Sequence, residues 1–201
     1  MFHRVIALAT CALLVLGAGA VGAVAISRQQ SEAFARKLTL ITGYAEKSGE
    51  KRLPRRTPVT ESEINSWFAY QSQPLLPAGM APPSLVIVGG GTVKGDVTID
   101  LEAYAKRRRS GGAFDPWSLV TGRVPVSITG VLRTKDGQGH FDMQRAELAG
   151  IPLPKGMVQD LITFYSRTPE RPDGIRIDDP FALPAQIRQI EVGQGRAVVV
   201  Q

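Results

Sequence analysis

The sequence RVPVSITGVLRTKDGQGHFDMQRAEL, residues 123–148, has the clearest secondary-structure pattern in the chain. In its first half, apolar residues recur at every second position, which is typical of a strand with one buried face. These positions are Val124, Val126, Ile128 and Leu132. The turn-forming residues KDGQG at 135–139 follow, so we predict that the chain reverses there in a hairpin.

The returning strand, 140–148, changes its pattern halfway along. Its apolar residues occupy odd positions as far as Met143 and even positions from Ala146 onwards. Because successive strand residues face opposite sides of a sheet, an extra residue is needed between the two sets. We therefore predict a β-bulge near Gln144 or Arg145, and a bulge bends the sheet that contains it.

Further strands and helices are predicted on both sides of this hairpin. Residues 85–88 and 92–101 predict two strands, the second with a regular alternation of apolar and polar residues. The capping box of Thr60 and Glu63 predicts the start of one helix, and Pro154 suits the first turn of another. Additional strands are predicted at 175–177, 186–192 and 197–200. The sum is an α+β domain with a mostly antiparallel sheet and two or three helices.

The N-terminus carries a membrane signal. Residues 5–26 read VIALATCALLVLGAGAVGAVAI, 22 residues without a charge, which is long enough to span a bilayer as a helix. Ala23 and Ala25 also fit the cleavage site of a secretory signal peptide. The sequence therefore fits both a retained transmembrane anchor and a cleaved signal peptide. Either one predicts export, since a short basic start before an apolar core is the usual export signal.

A basic region, 27–58, separates this signal from the domain. Apolar residues within 29–47 are spaced four, three and four apart, which predicts an amphipathic helix that extends the anchor as a stalk or lies along a membrane. SGEKRLPRRTP at 48–58 has the composition of a linker. The predicted organisation is a signal peptide or anchor at 1–26, a basic stalk and linker at 27–58, and an α+β envelope domain at 59–201.

The net positive charge of the chain lies in residues 1–58 rather than in the domain. The chain has a net charge of +6 and a pI near 9.8. Residues 1–58 contain nine Lys and Arg against three Asp and Glu, whereas 59–201 contain fifteen of each. A neutral domain is poor support for nucleic-acid binding, so we predict a membrane partner and no nucleic acid. The domain's one basic cluster is a membrane-surface patch or a solvated loop, formed by Lys106, Arg107, Arg108 and Arg109.

Several classes of site are excluded by composition and context. One cysteine excludes a disulfide framework and a cysteine-rich zinc site, and two histidines exclude most histidine metal sites. GAGAVG at 17–22 matches a dinucleotide-binding fingerprint but lies inside the apolar run, without the βαβ context that the motif requires. His140 has no nucleophile patterned with it, and the adjacent Asp178 and Asp179 would point to opposite sides of an extended segment. We predict a non-enzymatic protein with no catalytic residue, no metal and no cofactor.

Three segments of the domain resemble a known group of bacterial envelope proteins. TESEINSWF at 60–68 resembles the helix start of the tubular lipid-binding (TULIP) group, which has an acidic residue, Leu or Ile, and Asn. Residues 126–162, a hairpin followed by GIPLP at 150–154 and a helix, are similar to the LmeA-like phospholipid-binding family. FALPAQIRQIEVGQGRAVVV at 181–200 is similar to the closing segment of that family. The whole of 59–201 is also similar to uncharacterised exported proteins.

This resemblance implies a curved, mostly antiparallel sheet packed on one longer helix, with lipid chains between them. The sequence is compatible with this arrangement, because the predicted sheet and the predicted helix each have one apolar face. The two apolar faces must meet. Faces that meet tightly form a closed core, whereas splayed faces leave a groove where each buried CH₂ contributes about 0.8 kcal/mol. The expected groove residues are Trp67, Phe68, Val97, Ile99, Val126, Ile128, Met143, Val158, Leu161, Ile162 and Tyr165.

The leading hypothesis is a membrane-tethered envelope domain that binds or transfers phospholipid or another acyl lipid in this groove. It predicts an exported protein, anchored in the inner membrane with the domain at 59–201 in the periplasm, or soluble in the periplasm after cleavage. The alternative is an interaction or assembly module of an envelope complex, with a closed core, no ligand and other envelope proteins as partners.

Overall fold

The computed structural model describes residues 26–46, 53–102, 122–169 and 171–201. Within these ranges, none of the helices combines the length and the apolar composition that crossing a bilayer requires. The predictions for residues 1–25 and for the basic run 106–109 lie outside the described residues.

Three α-helices lie within the described ranges: α1 (Arg28–Glu46), α2 (Glu61–Gln71) and α3 (Lys155–Ser166). The start of α2 confirms the predicted capping box. The Glu63 N–H donates to the Thr60 hydroxyl, and the Thr60 N–H donates to the Glu63 carboxylate. This exchange satisfies backbone groups that a helix start otherwise leaves unpaired. A 3₁₀ turn (Gln73–Leu75) ends the α2 region, and Pro154 lies at the N-cap position of α3 without a side-chain hydrogen bond to the helix.

The strands of the described residues form two sheets, and every pairing is antiparallel. The strands are β1 (Arg56–Thr60), β2 (Ser84–Gly89), β3 (Thr92–Asp100), β4 (Arg123–Lys135), β5 (Gln138–Leu148), β6 (Ile151–Pro152), β7 (Phe181–Ala182), β8 (Gln189–Gly193) and β9 (Arg196–Val200). The large sheet has the order β2-β3-β4-β5-β6, with β7 also paired to β5, and the small sheet has the order β1-β9-β8. The α+β prediction is confirmed.

The β4–β5 hairpin has the predicted turn and the predicted bulge. Asp136 and Gly137 form the turn with φ of 49° and 80°, the left-handed backbone that a tight hairpin requires. Thr129 pairs with Arg145 and Gly130 with Met143, so Gln144 is the extra residue. A glycine is needed opposite this bulge, because a Cβ at Gly130 would lie 2.5 Å from the Asp142 carbonyl oxygen.

Helix α2 covers the outer edge of β2. The Leu85 N–H donates to Asn65 Oδ1 and the Asn65 amide donates to the Leu85 carbonyl, both at 2.7 Å. The Ile87 N–H donates to the Glu61 carboxylate at 2.7 Å, and the Ile87 carbonyl accepts from the Gly195 N–H. These contacts pair the backbone groups of an edge strand that would otherwise be open to another chain.

The buried side chains divide between the two ends of the large sheet. One cluster lies under α3 and consists of Ile99, Leu101, Val124, Val126, Leu148 and Leu161. A second group lies where α1, β2 and the small sheet meet, and consists of Ile41, Val59, Ile87, Leu183, Ile187, Ala197 and Val199. The large sheet therefore carries an apolar layer against α3 and another against the small sheet and α1.

The helix predicted within 29–47 is present as α1, and its apolar face packs against the domain. Ile41 is 5% exposed and belongs to the same cluster as Val199 of β9. The expectation of a stalk rested on helical periodicity, which cannot tell whether the partner of an apolar face is a membrane or a sheet. Residues 56–58, assigned to the linker by composition, belong to β1 and pair with β9.

Two of the predicted C-terminal strands need correction. The strand predicted at 175–177 is wrong, because the backbone there is irregular and the Gln159 side chain of α3 binds the Ile175 carbonyl and the Ile177 N–H. The strand predicted at 186–192 begins only at Gln189. An alternating pattern of only three residues cannot distinguish a strand from an irregular segment that is hydrogen-bonded to a helix.

Candidate lipid-binding site

Eight of the eleven predicted groove residues line one cleft between α3 and the large sheet, which we call the α3 cleft. Its volume is about 90 Å³. The α3 cleft is lined by Met80, Val97, Ile99, Val126, Ile128, Val158, Leu161, Ile162 and Tyr165. Ligand sites for small molecules have volumes of roughly 300–1,000 Å³, so this interface is packed close to a core.

The other three predicted residues lie elsewhere. Met143 packs in the neighbouring cluster with Ala146, Val158 and Ile177. Trp67 and Phe68 lie on α2, where the Trp67 ring centroid is 6.0 Å from that of Phe34 on α1. The fold therefore separates the aromatic face of α2 from the apolar face of α3, although both were predicted to line one groove.

A larger apolar groove lies between α1, the small sheet and β2–β4, and we call it the α1 groove. Its volume is about 310 Å³, and every lining residue except Thr42 is apolar. The lining residues are Phe34, Leu38, Ile41, Thr42, Val59, Ile64, Leu85, Ile87, Val93, Leu132, Pro184, Ala185, Ile187, Ile190, Val192, Ala197 and Val199. The α1 groove is large enough for a small-molecule ligand, and its wall is almost entirely hydrocarbon.

Strand register builds the floor of the α1 groove. In the small sheet, Ala197 pairs with Val59 on one side and Val192 on the other, while Val199 pairs with Ile190. Directly paired residues share a face of a sheet, and so do residues two apart in a strand. These side chains therefore form one continuous apolar surface toward the groove.

Helix α1 forms the wall of the groove and is attached to α2 by polar contacts. Lys37 Nζ lies 2.7 Å from both carboxylate oxygens of Glu63. Burial raises the pKa of the Glu63 carboxyl, but the hydrogen bonds from Lys37 and Thr60 outweigh it, so the pKa lies below its ordinary value. The Gln71 amide also donates to the buried hydroxyl of Ser31 at 2.7 Å. The apolar face of α1 is thereby held toward the groove.

Gln201 continues the apolar row of β9. Gln201 exchanges backbone hydrogen bonds with Arg55, so the antiparallel pairing of β9 extends past Val199. Residues two apart in a strand share a face, so the side chains of Val199 and Gln201 lie on the same face. The residue is 3% exposed, and its Nε2 donates to the carbonyls of Ile41 at 2.9 Å and Ala185 at 2.6 Å. Its Oε1 is buried and has no hydrogen-bond partner among the described residues. Gln201 itself is not among the residues that line the α1 groove.

A third cavity, of about 720 Å³, lies between Phe141 of β5 and the segment 171–182. Its walls combine apolar side chains such as Phe181 with the charged Arg176 and Asp179, which are 74% and 62% exposed. These charged side chains make the wall of this cavity more polar than that of the α1 groove.

Polar residues considered for catalysis are dispersed in the fold. His140 lies half-buried opposite Arg133 in the β4–β5 pair. Asp178 pairs with Lys155 at 2.5 Å, and Asp179 pairs with Arg176 at 3.7 Å. Each of these two carboxylates thus has its own cation. Within the described residues, no group of three or more His, Cys, Asp or Glu is arranged to hold a metal ion.

Comparison of the chain with protein-family models, with curated proteins and with solved structures gives no match. The resemblance to the tubular lipid-binding group therefore stays a prediction, and the site is argued from its own geometry.

Proposed function

We propose that this protein is a non-enzymatic, membrane-tethered envelope domain that binds or transfers lipid, with an acyl chain in the α1 groove. The observation that carries this proposal is the lining of the groove, in which sixteen of seventeen residues are apolar. Water gains few hydrogen bonds in such a place, while each methylene buried there contributes about 0.8 kcal/mol. The proposal keeps the predicted arrangement of an apolar groove between sheet and helix but moves it from α3 to α1.

The size of the α1 groove favours a single chain. A volume of about 310 Å³ equals that of roughly ten water molecules in the liquid, and a methylene group is of similar size. The groove therefore suits most of one acyl chain and leaves little room for a second. A lipid with two chains would keep the other one outside.

The position of α1 supports a function at a membrane. The helix begins at Arg28, two residues after the apolar run 5–26. With a rise of 1.5 Å per residue, Phe34 lies about 9 Å and Ile41 about 20 Å along the helix from its start. In this proposal, an N-terminal transmembrane or signal helix leads directly into the groove wall, and a curved sheet packs on α1, the longest helix of the described residues. An inner-membrane anchor would hold the groove near the periplasmic surface, and a cleaved signal would leave a soluble periplasmic carrier.

The second candidate is an interaction or assembly module of an envelope complex. The observation that favours it is the α3 cleft, whose 90 Å³ indicates a closed core at the interface first expected to hold lipid. This candidate needs the α1 groove to close as well, or to receive part of a protein partner.

Photo-crosslinking in living cells tests the proposal and separates the two candidates. The full chain is produced with p-benzoylphenylalanine in place of Leu38, which lines the α1 groove, and the cells are fed radiolabelled acetate to mark acyl chains. A matched control carries the same residue in place of Leu40, which is on the same helix and 48% exposed. After irradiation and denaturing electrophoresis, we expect labelled lipid on the protein modified at position 38 and at least fivefold less at position 40.

Equal labelling at both positions would show that α1 merely touches a bilayer, and would contradict binding in the groove. A protein adduct at position 38 without any lipid adduct would support the assembly module instead.

A further inference from the structure

We propose that Gly95 determines the length of acyl chain that the protein accepts, by leaving a passage from the α1 groove to the α3 cleft. In this arrangement the α1 groove holds most of one chain, and the methyl end of a longer chain crosses Gly95 into the α3 cleft. The inference rests on the proposed function and adds the chain length of the ligand to it.

Gly95 belongs to neither lining and lies between the two cavities on one face of the large sheet. It pairs with Leu85 of β2, which lines the α1 groove, and with Ile128 of β4, which lines the α3 cleft. The order along β3 is the same, since Val93 lines the groove and Val97 lines the cleft. Paired residues share a face of a sheet, and so do residues two apart in a strand. The two cavities are therefore neighbours on one apolar surface.

Neither the backbone nor the packing at Gly95 requires a glycine. Its φ is not positive, so other residues adopt the same backbone without strain. A Cβ on Gly95 would have one heavy atom of the described residues within 4 Å beyond its chain neighbours, the Ser84 carbonyl oxygen at 4.0 Å. Gly130, which pairs with Val93 on the same face, differs, because a Cβ there would lie 2.5 Å from the ring of Phe141. A side chain thus covers Gly130, whereas the described residues leave the space above Gly95 open.

This open space fits a hydrocarbon chain. A glycine inside a strand packs no side chain and lowers stability, and it often marks a place where a ligand approaches the backbone closely. Leu85 and Ile128 lie about 10 Å apart across Gly95, which is twice the spacing of neighbouring strands. Because the surfaces on both sides are apolar, a methylene chain would fill the place of the missing side chain without burying a polar group.

The volumes of the two cavities predict the chain length at which the passage is used. The α1 groove, with about 310 Å³, has space for roughly ten methylene groups, and the α3 cleft, with about 90 Å³, has space for roughly three more. The α1 groove alone therefore holds a chain of about ten carbons. A chain of about sixteen carbons extends past Gly95, so its methyl end lies in the α3 cleft.

Two photoreactive monoacylglycerols test this path. Their chains have ten or sixteen carbons, and each chain carries a diazirine next to its methyl end. Each probe is mixed at the same mole fraction into phosphatidylcholine nanodiscs that hold the full chain, and peptide mass spectrometry locates the adducts after irradiation. We expect the ten-carbon probe to label residues of the α1 groove, such as Ile187, and the sixteen-carbon probe to label residues of the α3 cleft, such as Leu161.

Gly95→Val closes the passage with a residue that strands favour. We expect this variant to lower cleft labelling by the sixteen-carbon probe at least fivefold, and to leave groove labelling by the ten-carbon probe within twofold of the unmodified protein. Gly95→Ala adds one methyl group in the open space and should lower cleft labelling about twofold. The matched control is Gly156→Ala, in the exposed first turn of α3, where an added Cβ also meets no atom within 4 Å. It should change neither kind of labelling.

Cleft labelling that the Gly95 variants leave unchanged would overturn the inference, and Gly95→Ala decides this if Gly95→Val does not fold. Absence of cleft labelling by the sixteen-carbon probe in the unmodified protein would overturn it as well. In both cases, groove labelling by the ten-carbon probe would leave the proposed function standing. Absence of groove labelling by the ten-carbon probe would overturn the inference and the proposed function together.

Discussion

Asn65 uses its whole side-chain amide on one residue of β2. Its oxygen accepts from the Leu85 N–H and its nitrogen donates to the Leu85 carbonyl, so the amide imitates a neighbouring strand. Asn65 is 7% exposed, and Glu61 one helical turn earlier binds the Ile87 N–H in the same way. Glu61 and Asn65 therefore act together in closing a sheet edge.

Replacement of Asn65 by leucine is expected to lower the free energy of unfolding by about 2–4 kcal/mol, because two partly buried backbone groups of Leu85 lose their partners. The measurement is urea denaturation of the full chain in detergent micelles, followed by tryptophan fluorescence. Gln73→Ala, which removes an exposed amide just beyond α2, should change stability by less than 0.5 kcal/mol. A similar small effect for Asn65→Leu would refute the role assigned to the edge contacts.

Helix α1 is the element whose packing most affects the proposed function, since it forms a wall of the α1 groove. Its attachment to α2 includes the Lys37–Glu63 ion pair, whose side chains are 26% and 12% exposed. The same Glu63 carboxylate caps α2 through the Thr60 N–H. Protonation of one residue would therefore loosen both the helix start and the helix–helix contact.

The stability of the fold should depend on pH through Glu63. Its pKa in the folded protein lies below the value of 4.5 for an unperturbed Glu, so between the two values the unfolded state binds more protons. The stabilisation is complete well above pH 4.5 and is lost as the pH falls through the lower, folded pKa. We expect Glu63→Gln to lower the free energy of unfolding by about 1 kcal/mol at pH 7. This difference between the variant and the unmodified protein should disappear in the acidic range.

Denaturant titrations at a series of pH values from 7 to 3 measure this gap. Asp136→Asn, which removes a carboxylate from the exposed β4–β5 turn, serves as the control for loss of one negative charge. A gap between Glu63→Gln and the unmodified protein that stays constant across the series would contradict the ion-pair account.

At the scale of the whole molecule, local patterns were predictable and the packing between elements was not. The Thr60–Glu63 capping box and the bulge at Gln144 depend on neighbouring residues, so the sequence alone predicts them. Composition predicts a linker for residues 56–58 of β1, because RRTP is basic and contains proline, although Thr57 becomes buried when β9 pairs with the strand. Long-range pairing overrode local composition there.

The site was predicted only in part for the same reason. The apolar faces of α3 and the large sheet were recognised, and they meet in the α3 cleft. The α1 groove combines Phe34 and Leu38 with β1, β9 and β2, which are distant in sequence. The spacing of Phe34, Leu38 and Ile41 is the available signal, but from the sequence it predicts either a stalk that extends the anchor or a helix that lies along a membrane.

The most direct test of the central claim is to locate the acyl chain by nuclear magnetic resonance. The full chain, with ¹³C-labelled methyl groups on Ile, Leu and Val, is placed in nanodiscs of deuterated phosphatidylcholine that contain protonated monoacylglycerol. Isotope-filtered nuclear Overhauser effects then report contacts between the chain of the lipid and individual methyl groups. We predict contacts to Val59, Ile87, Ile187 and Val199 of the α1 groove. Contacts to Val158 and Leu161 of the α3 cleft in their place, or contacts to neither set, would contradict lipid binding in the α1 groove.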